Sequence, residues 1–125
     1  MAVKAAFRYK PDTYRSGLET IVENFDPAAG TGTLVLPCQM VIYDDTKVTG
    51  ANYVPGDPSS ERNINVLYED VIRLDIAATA ALSQAAMQTA ISDALAQWGN
   101  SVKPSATALG KIVLAAKRAA PQLLV

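Results

Sequence analysis

The chain has 125 residues, half of them hydrophobic and 18% charged, the make-up of one globular domain and not of a disordered segment. It has no histidine and one cysteine, Cys38, which removes the commonest general base and metal ligand, every Ser–His or Cys–His nucleophile pair and any internal disulfide. The net charge of −1 conceals a polarity: residues 1–15 carry Lys4, Arg8, Lys10 and Arg15 against Asp12, residues 100–125 carry Lys103, Lys111, Lys117 and Arg118 with no acid, and residues 16–99 carry three bases against eleven acids.

Residues 3–10 alternate. Val3, Ala5, Phe7 and Tyr9 take one face, Lys4, Arg8 and Lys10 with Ala6 the other, which predicts a half-buried strand ended by Pro11-Asp12. Two readings compete in SGLETIVENFD, residues 16–26. Ser16 and Glu19 form a capping-box pattern, and Leu18, Ile21, Val22 and Phe25 fall at helical spacing. Thr20-Ile21-Val22 has strand propensity instead. Cap and periodicity agree, so the expectation is a short helix over 17–25, followed by a turn at Asp26-Pro27.

Residues 33–43, TLVLPCQMVIY, read as a strand with Leu34, Leu36, Cys38, Met40 and Ile42 on one apolar face. Pro37 cannot donate to a ladder and points to an edge position or a bulge. Cys38 reads as a small core hydrophobe. A long connection follows, YDDTKVTGANYVPGDPSSERN, residues 43–63. Its adjacent Asp44 and Asp45 start a turn more readily than they hold a cation. Gly50, Pro55, Gly56 and Pro58 turn or stiffen it, and Tyr53 and Val54 give it apolar groups to bury. Such a loop is a contact element between copies or a mobile tip.

Residues 64–76, INVLYEDVIRLDI, are the longest predicted strand, with Ile64, Val66, Tyr68, Ile72, Leu74 and Ile76 on one face and Asp70 intruding. From Thr79 as N-cap, a helix over about 80–98 carries Met87, Ile91, Ala94, Leu95 and Trp98 as a stripe and closes at Gly99-Asn100. Ser105 caps a second helix over about 106–119, striped by Leu109, Ile112, Val113, Ala116 and Ala120 and ended by Pro121.

The sum is one α+β domain over residues 1–125, with an antiparallel sheet over about 3–76 that has one face open and two C-terminal helices on the other face. Exposed strand edges predict pairing with another copy, whose sheet those helices would cover; a monomer with loop-covered edges is the alternative. No run of about 18 apolar residues spans a membrane, and MAVKAAFRYK lacks the apolar core of a signal peptide. The glycines of PAAGTGT precede a strand and lack the Lys-Ser/Thr of a phosphate loop. No paired-acid site is visible, so neither an enzyme nor a cofactor is expected. The best binding feature is the open face, where Lys4, Arg8, Lys10, Gln39, Tyr43 and Arg73 can meet the phosphates of single-stranded RNA.

From Cys38 to about residue 115 the order of elements resembles single-stranded RNA bacteriophage coat proteins. GDPSSERN leads into VLYEDVIRLDI, then a short gap, a helix, and a second helix after WGNSVKPSA. The resemblance implies a dimer joined sheet edge to sheet edge, with each subunit's helices over its partner, and a shell in the virion assembled in the host cytoplasm. It also implies RNA on the inner sheet face and inter-subunit contacts by the long loop, here through Tyr53, Val54, Pro55, Asp57 and Arg62. The region before residue 33 is shorter than that family's N-terminal strands require. The competing reading is a phage or bacterial protein-binding module that takes no nucleic acid.

Overall fold

The computed structural model describes residues 3–13, 19–77, 82–102 and 108–118. Among these, strands β1 (Val3–Tyr9), β2 (Ile21–Asp26), β3 (Thr31–Asp44) and β4 (Ile64–Asp75) form one antiparallel sheet. Helices α1 (Pro58–Glu61), α2 (Gln84–Ser101) and α3 (Ala108–Arg118) complete the fold. It is α+β, with α2 and α3 packed on one side of an open sheet.

β3 is the central strand. β4 lies along one side of it, from Thr33↔Asp75 to Tyr43↔Ile64. The other side is shared end to end: β1 pairs with Cys38–Asp44, and β2 pairs with Thr31–Val35. Pro37 falls in the break between β1 and β2. Its carbonyl accepts the Lys10 N–H at 2.8 Å, and the Lys10 carbonyl accepts Glu19 N–H at 3.0 Å. Carbonyl and nitrogen of one strand residue point the same way, so the donor that proline lacks faces a gap in the ladder. The edge position or bulge expected from Pro37 is therefore corrected: the residue is tolerated inside the sheet, away from the bulge at Met40/Val41, because one neighbour is interrupted there.

The helix expected over 17–25 is also corrected. Residues 14–18, including Ser16 and Leu18, lie outside the described residues, and Ile21–Asp26 is a strand. β-Branched Ile21 and Val22 pair with Val35 and Leu34, so tertiary pairing and local β propensity prevail over a helical spacing. The β2 ladder shifts by one residue between Glu23 and Asp26, and Asn24 takes φ 52°, a left-handed conformation that asparagine tolerates.

One residue of slip also divides β4. Met40 pairs with Tyr68 and Val41 with Val66, leaving Leu67 as the extra residue of a bulge. Tyr68, Asp70, Ile72 and Leu74 thus share the face of Met40, Cys38, Leu36 and Leu34 under the helices. Ile64 joins Ala6, Val41 and Tyr53 on the opposite side. The single apolar face expected for residues 64–76 is two half-faces.

The main core is Phe7, Tyr9, Leu36, Cys38 and Met40 from the sheet with Leu95, Trp98, Val113 and Ala116 from the helices. Trp98 is its hinge: it meets Phe7 edge-on with centroids 5.2 Å apart and stacks parallel to Tyr68 at 6.1 Å. Ser83 caps α2 through Ala86 N–H, and the helix runs through Gly99 and Asn100 to Ser101. Thr79, Ser105 and Pro121 lie outside the described residues. Gly99 is thus no C-terminal stop. It is buried inside α2 where the helix backbone comes down on the Phe7 ring.

Candidate functional site

The face of the sheet away from α2 and α3 is where binding was expected, and the part of it around Ala6, Arg8, Gln39 and Val41 is covered. The 45–63 loop folds back over β1 and the end of β3, bringing Tyr53 into contact with Ala6, Val41 and Ile64. Asp57 starts α1 by accepting Ser59 N–H at 2.8 Å, and Pro58 takes the first helical position, where no donor is needed. One turn later α1 delivers Glu61 to the sheet.

Arg8 meets it there. The Arg8 Nη2 donates to Glu61 Oε2 at 2.9 Å and Nη1 to Glu61 Oε1 at 3.3 Å, a forked charge-assisted pair. Nη1 also donates to the Tyr53 hydroxyl at 2.8 Å and Nε to Gln39 Oε1 at 3.0 Å. Gln39 Nε2 in turn donates to Glu69 Oε1 at 2.6 Å on β4. Glu61 Oε1 further accepts the Tyr53 hydroxyl and the Gly56 N–H, the latter at 3.2 Å. The Arg8 and Gln39 bonds run across the sheet or from sheet to loop, and the Tyr53 and Gly56 bonds to Glu61 close the loop on itself. Arg8 keeps 3% of its side-chain surface.

The electrostatics agree with the geometry. Burial alone would raise the Glu61 carboxyl, but hydrogen bonds from Arg8 and Tyr53, with the Arg8 charge behind them, hold it below the usual range. Burial, and after it the bond to Glu61, pushes the Tyr53 phenol above its ordinary value. The result is an ionised carboxylate, a guanidinium and a neutral phenol.

The six residues expected to bind RNA therefore separate. Arg8 and Gln39 are buried in the network and present nothing to a phosphate while the loop is down. Lys4 is exposed beside half-buried Tyr43, its partner across β1 and β3. Lys10 lies 3.5 Å from Glu19 and Arg73 3.8 Å from Glu23, both pairs partly exposed. Beyond the loop, successive rows across this face join Pro37 with Val71, Val35 with Ile21 and Arg73, and Thr33 with Glu23 and Asp75. That surface mixes charges and is not a basic field. Exposed pairs are worth at most about 1 kcal/mol, so Lys10 and Arg73 can exchange a carboxylate for a phosphate at little cost, whereas Arg8 cannot.

The five loop residues expected between subunits separate as well. Tyr53 is buried against the chain's own sheet and Asp57 caps α1. Val54 and Arg62 are exposed, with Arg62 Nε donating to the Ser59 carbonyl at 3.1 Å, and Pro55 is half-buried. No family model, curated protein or solved structure matches this chain. Its function is read from its own surfaces.

Sequence reasoning left Asp70 without a role. It accepts the Trp98 indole N–H at 3.1 Å through Oδ2 and the Val71 N–H at 2.8 Å through Oδ1, tying α2 to β4. A tryptophan on the helix stripe that needs an acceptor when buried was the available signal. Cys38, directly across the ladder from Asp70, is fully buried. Burial, with Asp70 nearby, pushes its thiol up to about 12, leaving no thiolate for chemistry near neutrality. The hydroxyl of Tyr9 is likewise spent, donating to the Ile91 carbonyl of α2. The acid turn at Asp44 is closed by Thr46, whose N–H and hydroxyl donate to Asp44 Oδ1 at 2.9 and 2.7 Å.

Glu61 and the underside of the loop were missed altogether. The partners Arg8 and Glu61 stand 53 positions apart, and alternation on β1 distinguishes two faces without saying which residues a distant loop will cover.

Proposed function

We propose that the chain is a self-assembling structural subunit of a shell, a virion coat protein whose basic unit is a dimer joined along β4. The observation that carries this is the state of β4. It spans Ile64–Asp75, forms a ladder with β3 alone among the described residues, and exposes Val66, Leu67, Tyr68 and Val71. A long strand edge with apolar side chains is a template for another strand, even though Asp70 already occupies the outward Val71 N–H. The described β4 carries no proline or lysine; its charges, Glu69, Asp70, Arg73 and Asp75, and its bulge at Leu67 leave Val66, Leu67, Tyr68 and Val71 as the apolar residues on which pairing would rest. A second copy around a two-fold axis satisfies the edge with the same residues on both sides. The resemblance in element order to single-stranded RNA phage coat proteins supports edge-to-edge pairing, although α2 and α3 pack on the chain's own sheet and not, as that resemblance implied, on a partner's.

The edge is tested by Leu67→Lys with Val71→Lys, exposed positions outside the core clusters. The double variant is expected to keep its circular dichroism and to fall from dimer to monomer at micromolar concentration. A dimer of unchanged mass would place the contact elsewhere.

In this reading genomic RNA meets Lys4, with Tyr43 beside it, and Lys10 and Arg73 farther along the sheet, and Arg8 serves the fold instead. Neutralising Lys4, Lys10 and Arg73 to glutamine is expected to lower the ratio of 260 to 280 nm absorbance of purified particles without changing the unfolding free energy by more than the few tenths of a kcal/mol typical of surface sites. Unchanged nucleic-acid content would remove this face from the account. A module that docks another protein through the loop would instead form small particles free of nucleic acid.

A further inference from the structure

Edge pairing needs the backbone N–H groups that face outward, and on β4 one of them is already taken. The Pro37 carbonyl accepts Lys10 N–H on the β1 side of β3, so Pro37 turns its backbone groups away from β4. Val71, its partner in the register, therefore turns its own N–H and carbonyl away from β3, as do Glu69 and Arg73 two positions either way. Val71 is the middle of that outward row. Its N–H donates to Asp70 Oδ1 at 2.8 Å, where a second strand would place a carbonyl.

The side chain that holds this N–H is a charged group on the apolar side of an edge strand. Asp70 shares the helix-bearing face with Tyr68, Ile72 and Leu74. Short acidic side chains compete with ladders for neighbouring N–H groups, and inward-pointing charges are one of the ways in which proteins blunt a strand edge. The other oxygen, Oδ2, accepts the Trp98 indole N–H at 3.1 Å, which ties the carboxylate to α2. When the Val71 N–H leaves for another acceptor, the carboxylate therefore keeps a partner. Such a contact opposes pairing without forbidding it. The neighbouring acid of the edge is engaged differently: Glu69 Oε1 accepts Gln39 Nε2 at 2.6 Å, a side-chain bond within the chain's own sheet.

We infer that Asp70 is an autoinhibitory clasp on the β4 edge: its carboxylate occupies the Val71 N–H in the lone chain and must release it to the strand of a second copy before the dimer closes. The inference rests on the β4 dimer proposed above and adds the regulation of that contact. Two clasps open per dimer, by symmetry. They weaken the dimer, keep dilute chains apart and delay assembly until the concentration of chains is high enough to overcome them.

The test compares Asp70→Asn with Glu69→Gln in the full chain. Asparagine keeps an oxygen for the Trp98 indole, but its other terminal atom is a donor, so it gives up the Val71 N–H. The dimer dissociation constant, measured by sedimentation equilibrium, is expected to fall about tenfold or more for Asp70→Asn, the effect of freeing one edge donor in each copy. Glu69→Gln removes the same charge without opening a clasp, and is expected to leave the constant close to its native value. A constant for Asp70→Asn that is unchanged or raised would overturn the inference, because a merely structural Asp70 lowers the unfolding midpoint without tightening the dimer. Equal tightening in both variants would also overturn it, leaving charge alone as the cause. Should Asp70→Asn fail to fold, the native chain decides: the NMR resonance of the Val71 amide proton is expected to shift between dilute monomer and dimer, as its acceptor changes from carboxylate to carbonyl. An unshifted resonance would overturn the clasp while leaving the dimer intact. If the native chain and both variants stay monomeric at every concentration, the dimer reading itself is overturned.

Discussion

Replacing Arg8 with methionine is expected to cost about 3–5 kcal/mol, the range for removing one partner of a buried ion pair, measured as a shift in the urea midpoint. The loss has several parts. Glu61 would keep a largely desolvated carboxylate without its cation, and Tyr53 and Gln39 would each lose a charged donor. Glu61→Gln retains the shape of the acceptor but leaves Arg8 buried without a counter-charge, and is expected to destabilise similarly. Combining the two changes should cost clearly less than their sum, because each single change strands a partner that the double change does not. A sum within about 0.5 kcal/mol of additive would mean that the two groups do not act as a pair.

The same pair sets a pH dependence whose sign follows from Glu61. Its carboxyl is held below the usual range when folded, so the unfolded chain binds the proton more readily. The contribution is fully present above the ordinary glutamate value of about 4.3 and is lost as pH falls through the lower folded value. In Arg8→Met this acid-side decline should shrink, since the cation that lowers the carboxyl is gone.

The second large effect is expected at Gly99. A Cβ there would stand 2.7 Å from Phe7 Cδ2 and 2.9 Å from Cε2, closer than atoms can pack. The ring cannot swing aside, being buried and held edge-on by Trp98. Alanine would gain about 1 kcal/mol of helix propensity over glycine, yet overpacking costs about 1–3 kcal/mol, so Gly99→Ala is expected to be destabilised on balance. Gly99→Val, with more bulk and less helix preference, should lose more. Gly50, with open space around its Cα, is the control, and Gly50→Ala should change the midpoint little. Phe7→Leu introduced beside Gly99→Ala should recover part of the loss. A stabilised Gly99→Ala would mean that α2 does not approach β1 as described.

The parts of the fold legible in the sequence are those written in local periodicity. β1, β3 and the two long helices follow their hydrophobic alternation or stripe, because each buries one side against the main core. β2 was not legible: its strand character comes from pairing with Val35 and Leu34, and its exposed Ile21, Val22 and Phe25 imitate a helical stripe. In β4 the extra residue Leu67 exchanges the faces, and a period-two reading cannot detect an inserted residue that is itself apolar. Gly99 and Pro37 were each given the commonest meaning of their residue type. Tertiary context assigned them a close helix–sheet approach and a gap between two strands. At the candidate site, Lys4, Lys10 and Arg73 were visible as partly exposed strand bases, whereas the burial of Arg8 depends on a loop that returns 53 positions later.

The central claim is that this chain assembles with itself through unpartnered strand edges. Size-exclusion chromatography of the purified chain, with light scattering for mass and absorbance at 260 and 280 nm, tests it most directly. The account predicts particles of megadalton mass that dissociate to dimers and not to monomers, with co-purifying nucleic acid. A single monomeric species that persists at high protein concentration would contradict it.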